Sequence, residues 1–389
     1  MSEIVAIITE YNPFHNGHKY QIDKIREQIK DATIIAIMSG NCVQRGDLAF
    51  INKYNRAQIA VECGVDAVFE LPFPYSCSTA EIFAGAGVEI ASKLGADYLF
   101  FGIESDSLEQ IEKIAFAIDT IEFDSELQKL KQDGFLSYPV LREKALSNLG
   151  LKMSNSSNDI LAIEYIRAIK NKGLDLKYRA IKRKGACYKN LEICDVMSAS
   201  AIRESFYRNG NILSMPNKAT DILNDMFENG AINDRNATNR FLLNSILLKN
   251  PVDIENIFDV TDGMGYYIYE SAKKCKNPNR FTDDLSSKSF TTSRLKRAIL
   301  YAILNLNSFD KSPKYTTLLA VNDKGKALIK QNRKKENIVI LTKHSDASKL
   351  DEKSKMQLEK SLKLDEIYET LYMLPSAPAN AYKKKPYIK

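Results

Sequence analysis

Four short, almost wholly apolar runs, each followed by an amphipathic stretch, constrain this chain more than any other feature. The runs lie at 4–9, 33–38, 66–70 and 97–101, and helical spacing follows at 18–29, 53–63, 79–93 and 107–119. Strands that read as unbroken apolar runs are buried on both faces, and intervening helices act as crossovers. The pattern therefore predicts an α/β fold, a Rossmann-like parallel sheet covered on both sides. Right-handed crossovers bring the loops that follow these strands to one edge. That edge is expected to gather Thr9 to His18, Ser39 to Asp47, Glu70 to Tyr75 and Gly102 to Asp106.

The first of these loops carries the chemistry. The chain has three histidines, and two of them stand in His15-Asn16-Gly17-His18, between the run Ile4-Val5-Ala6-Ile7-Ile8 and a helical pattern starting near Lys19. A strand, a tight turn and a helix form the place where α/β proteins hold a nucleotide. The glycine permits close backbone approach, and two imidazoles on the first turn can donate to phosphate oxygens. Two other readings stay open at this level: structural histidines, or a metal site, for which further ligands at suitable spacing are missing. No GxxxxGK[ST] or GxGxxG is present, which excludes a P-loop and a dinucleotide fingerprint.

Further along, helices are expected at 124–133, 138–148 and 158–171, the last capped by Asn158 or Asp159, and a strand at 176–181. Ser198-Ala199-Ser200 reads as a helix start. The expected division is a catalytic domain over 1–210, a mostly helical basic region over 211–310, and a small mixed α/β module with strands at 315–321 and 337–342 over 311–389, ending in an exposed tail. A net charge of +6 is modest, yet Arg179 to Lys184 and much of 273–343 are basic while 1–130 is neutral or acidic. A neutral catalytic domain beside basic surfaces suits a polyanionic substrate, although solvated lysines give the same pattern. The six cysteines form no CxxC pair, which argues against a zinc ribbon; no metal ligand set is expected. No apolar leader or membrane-length run is seen, so the expected location is the cytoplasm, without a membrane partner.

Embedded in Thr9-Glu10-Tyr11-Asn12-Pro13-Phe14-His15-Asn16-Gly17-His18, the two histidines resemble the HxGH motif of Rossmann-like nucleotidyltransferases. Six further segments extend the likeness. They are Met38 to Gly46, Phe69-Glu70-Leu71-Pro72, Phe100-Phe101-Gly102, Ser157 to Tyr165, Ile181 to Ala186 and Ser198 to Arg203; the likeness resumes at Thr291 to Arg297. Together they resemble the tRNA(Met) cytidine acetate ligase family over essentially the whole chain. The resemblance implies activation of acetate by ATP to acetyl-adenylate. Acetyl transfer to N4 of the wobble cytidine of elongator tRNA(Met) follows, with magnesium carried mainly by the triphosphate.

The resemblance also implies roles. His15 and His18 are the catalytic pair. The run Ile8-Thr9-Glu10-Tyr11-Asn12-Pro13-Phe14-His15-Asn16-Gly17-His18-Lys19, with Gly102, Asn158, Arg183 and Arg203, is expected to bind ATP. Gln44 and Arg45 are expected to position acetate or tRNA. Arg294, Lys296 and Arg297 are expected to meet tRNA phosphates. Glu70 can orient a ligand or a basic side chain, or simply hold a turn, and Tyr11, Phe14 or Tyr75 can stack on a base, with core packing the simpler role for each. Asp159 and Ala162 stand where the family pattern favours Asn and Gly. A small-molecule adenylyltransferase and a non-catalytic RNA-binding protein are the two rival readings.

Overall fold

A computed structural model describes residues 2–132, 138–154, 156–183, 197–210, 214–335, 337–374 and 383–389. The strands are β1 (Ile4–Thr9), β2 (Thr33–Ser39), β3 (Ala67–Leu71), β4 (Tyr98–Ile103), β5 (Lys177–Lys182), β6 (Tyr315–Val321), β7 (Val339–Leu341) and β8 (Tyr387–Ile388). They form one sheet in the order β5-β4-β1-β2-β3-β6-β7, with β8 also paired to β6. The first five are parallel. Chain order runs outward from β1 to β3 and then returns to β4 on the other side of β1. The topological switch point therefore lies between the carboxyl ends of β1 and β4, where such sheets bind ligands.

Helices α1 (Asn16–Gln28), α2 (Lys53–Glu62), α3 (Ala80–Lys93), α4 (Leu108–Ala117), α5 (Ile121–Gln132), α6 (Tyr138–Asn148), α7 (Ser157–Asn171) and α8 (Ala199–Asn209) alternate with the first strands. The period of two along each strand divides the core between the sheet's faces. Ala6, Ile35, Ile37, Phe69 and Leu99 pack toward α3 and α7. Val5, Ile7, Ile34, Ala36 and Phe100 pack toward α1, α2 and α8. Ser156, rather than Asn158 or Asp159, caps α7 by accepting from Asp159 N–H. Asp159 instead turns inward and accepts from the backbone of Glu104 and Ser105 and from the Ser105 hydroxyl. That pins the loop after β4 to α7. Burial disfavours this carboxylate, but the Ser105 and backbone hydrogen bonds outweigh it and hold it below the usual carboxylate range.

A helical segment follows: α9 (Asn217–Glu228), α10 (Arg235–Leu247), α11 (Pro251–Glu255), α12 (Met264–Lys273) and α13 (Thr292–Ile303), the last capped by Thr291. Its apolar face closes on Cys42, Phe73 and Cys77, from the loops beyond β2 and β3. Residues 311–389 are mixed α/β as expected, with α14 (Asp323–Lys335) and α15 (Glu352–Glu369). Their strands do not make a sheet of their own, however: β6 pairs antiparallel with β3 and extends the catalytic sheet. The tail keeps Lys383 and Lys385 exposed, as expected, but it is also anchored: β8 pairs with β6, Tyr387 donates to Glu62, and Lys389 pairs with the same carboxylate. An edge strand with open backbone groups gives even two extended residues a place to dock. Tyr382, Cys187, Cys194 and Lys184 lie outside the described residues. Among the described residues no helix is long and apolar enough to cross a membrane.

Candidate active site

The loop between β1 and α1 departs from regular backbone at Tyr11, whose φ of +45° lies in the left-handed region. Asn12 ties it to the approach to α2 by accepting from Phe50 N–H at 2.7 Å. His15 then caps α1. Its Nδ1 accepts from Gly17 N–H at 3.0 Å, and His18 Nδ1 accepts from His15 N–H at 3.2 Å. This is a capping box made of two imidazoles. An Nδ1 that accepts carries no proton, so in each neutral ring the proton resides on Nε2. The rings stack with centroids 3.7 Å apart, and Tyr11 and Phe14 back His18 at 4.8 and 5.4 Å.

Burial first, and then the Arg183 charge, lower the His15 pKa to about 4. His18 is held well below the ordinary histidine value by burial, then by His15 and Arg183. Both rings are thus neutral hydrogen-bond donors at neutral pH.

These rings line a cavity of about 310 Å³ at the switch point. Ile8, Thr9, Glu10, Tyr11 and Asn12 supply the β1 side; Gly102, Asn158 and Arg183 supply the opposite side; Arg203 closes a third. All four residues expected from outside the β1 loop are therefore brought to it. The first turns of three helices also reach the wall: His15 before α1, Ser157 and Asn158 of α7, and Ser198 to Ser200 at the start of α8. Each helix N-terminus contributes the positive end of its dipole. Three converging on one cavity, with Arg183 and Arg203, make a site for a polyanion. Arg203 is anchored through Asn12 O at 2.5 Å. Asn158 donates to Glu104 at 2.5 Å and accepts from Arg183 at 3.4 Å. A Cβ on Gly102 would sit 3.1 Å from Arg183 Cγ, so the glycine is what lets Arg183 lie flat over β4.

Not every expected residue reaches the cavity. Phe14 is buried in the core, the Asn16 backbone N–H bonds Ser214 O, Gly17 serves the His15 cap, and Lys19 pairs with Asp23 along α1. Pro13 is absent from the lining as well. Spacing could have revealed some of the residues that sequence reasoning passed over. Gln21 lies one turn beyond His18, and Leu161 and Tyr165 lie at three and seven positions from Asn158 on the same face of α7. Phe83 and Phe101 complete the apolar wall.

Gln44 and Arg45 do border the cavity. Gln44 N–H donates to Glu10 at 3.0 Å, and Arg45 reaches Ser157 Oγ at 3.1 Å. Burial raises the Glu10 pKa, opposed by the Gln44 N–H and then by Arg203, Arg56 and Arg45. The basic segment on α13 behaves differently from expectation. Lys296 pairs with Asp47 at 2.7 Å, Arg294 grips Asp259, and Arg297 is 7% exposed beside the same aspartate. A Cβ on Gly46 would lie 2.6 Å from Arg297 N. Helix α13 thus abuts the Gln44–Arg45 loop; Lys296 pairs across to Asp47 of that loop, while Arg294 and Arg297 pair with Asp259. Periodicity could not reveal this, because Asp47 and Asp259 are remote in sequence from the cations they pair with.

A buried network under the same loops was also illegible. Lys53 Nζ lies 2.7 Å from Glu70 and 2.6 Å from Asp365 of α15, and Asn41 links Asp365 to Lys53 N–H. Glu70 therefore orients a basic side chain, Lys53, which is one of the roles its position allowed. Arg56, fully buried, donates to the carbonyls of Ile51, Glu10 and Gly40, which struts the β1 and β2 loops together. Tyr75 is core, bonded to Asp310 O. Among the described residues no three His, Cys, Asp or Glu side chains cluster as a metal site.

The strand order and this polyanion cavity define a nucleotide-binding α/β enzyme of the nucleotidyltransferase type. A family model described as HIGH Nucleotidyl Transferase matches residues 2–384. A tRNA(Met) cytidine acetate ligase of Thermoanaerobacter sp. (strain X514) is 35% identical over 388 residues, covering 95% of each chain. A second, of Thermosipho africanus, is 35% identical over 90% of this chain and 86% of its own length. The crystal structure of Thermotoga maritima TmcAL bound with alpha-thio ATP superposes with a TM-score of 0.90, at 27% identity and 99% coverage of both chains. This chain belongs to the tRNA(Met) cytidine acetate ligase family of HIGH nucleotidyltransferases.

Proposed function

We propose that this chain acetylates N4 of the wobble cytidine of elongator tRNA(Met), using ATP and acetate. An acetate oxygen attacks the α-phosphorus of ATP, and pyrophosphate leaves. Cytidine N4 then attacks the acetyl carbonyl carbon, AMP leaves, and the N4 proton is lost. The observation that carries the reading is the stacked His15–His18 pair, both rings neutral with Nδ1 occupied by backbone, at a cavity reached by three helix N-termini.

Charge builds on the non-bridging oxygens as the α-phosphorus is attacked, and two fixed Nε2–H donors meet it without reorganisation. We assign ATP contacts to Ile8–Asn12, His15, His18, Gly102, Asn158, Arg183 and Arg203. Gln44 and Arg45 position acetate or the RNA beside them. Magnesium, carried on the triphosphate, would offset its charge; the protein supplies the donors around it. The names of the relatives support the tRNA substrate, and residues 211–310 are the proposed RNA-facing segment.

The test is nucleoside mass spectrometry of elongator tRNA(Met) incubated with protein, ATP, magnesium and isotope-labelled acetate. Labelled N4-acetylcytidine that disappears with His18→Ala supports the reading. A product formed from ATP without tRNA would favour a small-molecule adenylyltransferase, and tRNA binding without ATP consumption would favour a non-catalytic RNA-binding protein.

A further inference from the structure

A second, smaller cavity of about 150 Å³ lies beside the catalytic one. Arg203 borders both. On the far side, Glu204, Tyr207, Arg235 and Asp283 border this cavity and also a wide trough of about 830 Å³ that carries Arg208. The small cavity thus stands midway between the open surface and the proposed ATP site.

Apart from Arg203, at the boundary with the catalytic cavity, its charged walls are neutralised internally. Lys296 pairs with Asp47 at 2.7 Å, and Arg235 pairs with Glu204 at 2.8 Å and Asp283 at 3.0 Å. A phosphate would have to displace these partners, so the fitting occupant is neutral and polar. Phe50 and Tyr207 supply aromatic wall, their rings edge-to-face at 5.6 Å.

One donor there is held fast and left without a partner. Asn233 is 4% exposed. Its N–H donates to Phe50 O at 3.0 Å, its carbonyl accepts the Tyr207 hydroxyl at 2.9 Å, and its Oδ1 accepts the Thr238 hydroxyl at 3.1 Å. Its Nδ2 is buried and has no hydrogen-bond partner among the described residues. The neighbouring amide, Asn239, is satisfied at both ends: Oδ1 accepts from Thr282 N–H and hydroxyl, and Nδ2 donates to Arg235 O. A buried unpaired donor is costly; two bonds fix the Asn233 main chain, and the Thr238 hydroxyl holds its amide by Oδ1.

We infer that this cavity receives an extruded pyrimidine base, with Asn233 Nδ2 donating to the O2–N3 acceptor edge and the exocyclic amine facing Arg203 and the catalytic cavity. Chemistry on a base requires removing it from its stack, and the flanking strand would leave through the Arg208 trough. The inference rests on the tRNA cytidine reading above and names where that base sits.

The test compares Asn233→Asp, which keeps the shape but replaces the donor by an acceptor, with Asn233→Ala. Acetate-dependent ATP–pyrophosphate exchange reports the first half-reaction without tRNA and should remain within about twofold of the parent. The kcat/KM for tRNA should fall by roughly tenfold or more, the scale of one lost buried hydrogen bond. A second measurement needs no variant: the parent protein should bind tRNA with an abasic wobble position roughly tenfold more weakly than tRNA with cytidine. Variants that exchange pyrophosphate and acetylate like the parent, or equal affinity for abasic and cytidine tRNA, overturn the base site alone. A parent protein that exchanges pyrophosphate but acetylates no tRNA overturns the functional reading, and the base site with it.

Discussion

His15 and His18 lie face to face, ring centroids 3.7 Å apart, and each Nδ1 takes a backbone N–H of the same turn. The arrangement spends one nitrogen of each ring on the cap and commits the other to a ligand. Cap and catalytic donor are therefore one device, so changes here affect both stability and rate.

Replacing His18 with Ala removes a preorganised donor. Acetate-dependent ATP–pyrophosphate exchange should fall by roughly 10²–10³-fold. His15→Ala should slow exchange comparably and also lower unfolding stability by about 1 kcal/mol, the worth of an N-cap. Urea denaturation beside the exchange assay separates the two effects. A His15→Ala protein with full exchange activity would remove His15 from the phosphate site.

Acid sensitivity follows from the same burial. His15 falls from 6.5 unfolded to about 4 folded. Between those values the unfolded chain binds a proton that the folded chain refuses, so stability is lost as pH falls from about 6.5 toward 4. Asp365 acts in the opposite sense. Burial lifts its pKa from 3.8 to about 6, opposed by Lys53 and reinforced by Glu70, so its contribution to stability grows as pH falls through 6. In thermal melts across pH 4–7, His15→Gln should flatten the acid loss and Asp365→Asn should steepen it.

Lys53 sits between two buried carboxylates. Lys53→Met strands both and should cost about 3–5 kcal/mol of unfolding free energy. Asp365→Asn leaves the Lys53–Glu70 pair and should cost clearly less. Chemical denaturation midpoints decide the order, and equal losses would contradict a shared lysine.

Gly102→Ala tests the close approach over β4. The new methyl meets Arg183 at 3.1 Å and should displace its guanidinium while leaving the fold intact. The KM for ATP should rise about fivefold, ~1 kcal/mol, with little change in melting temperature. An unchanged KM would mean that Arg183 does not touch the nucleotide.

What the sequence by itself determined was local. Apolar runs at 4–9 and 33–38 can only be doubly covered strands, a glycine between two histidines after such a strand marks a nucleotide turn, and Ser198 and Thr291 announce their helices. These signals depend on neighbours within a few residues, which the chain order states directly. Tertiary structure decided everything that depends on distant partners. It paired Arg294 and Arg297 with Asp259 and Lys296 with Asp47. It carried Asp365 to Lys53 across more than three hundred residues. It also added β6 and β8 to the first sheet, because β3 left an edge of backbone N–H and C=O groups that only pairing could satisfy. A cation reads the same in sequence whether it faces water or a carboxylate; burial and the partner's position make the difference, and only the folded chain supplies them.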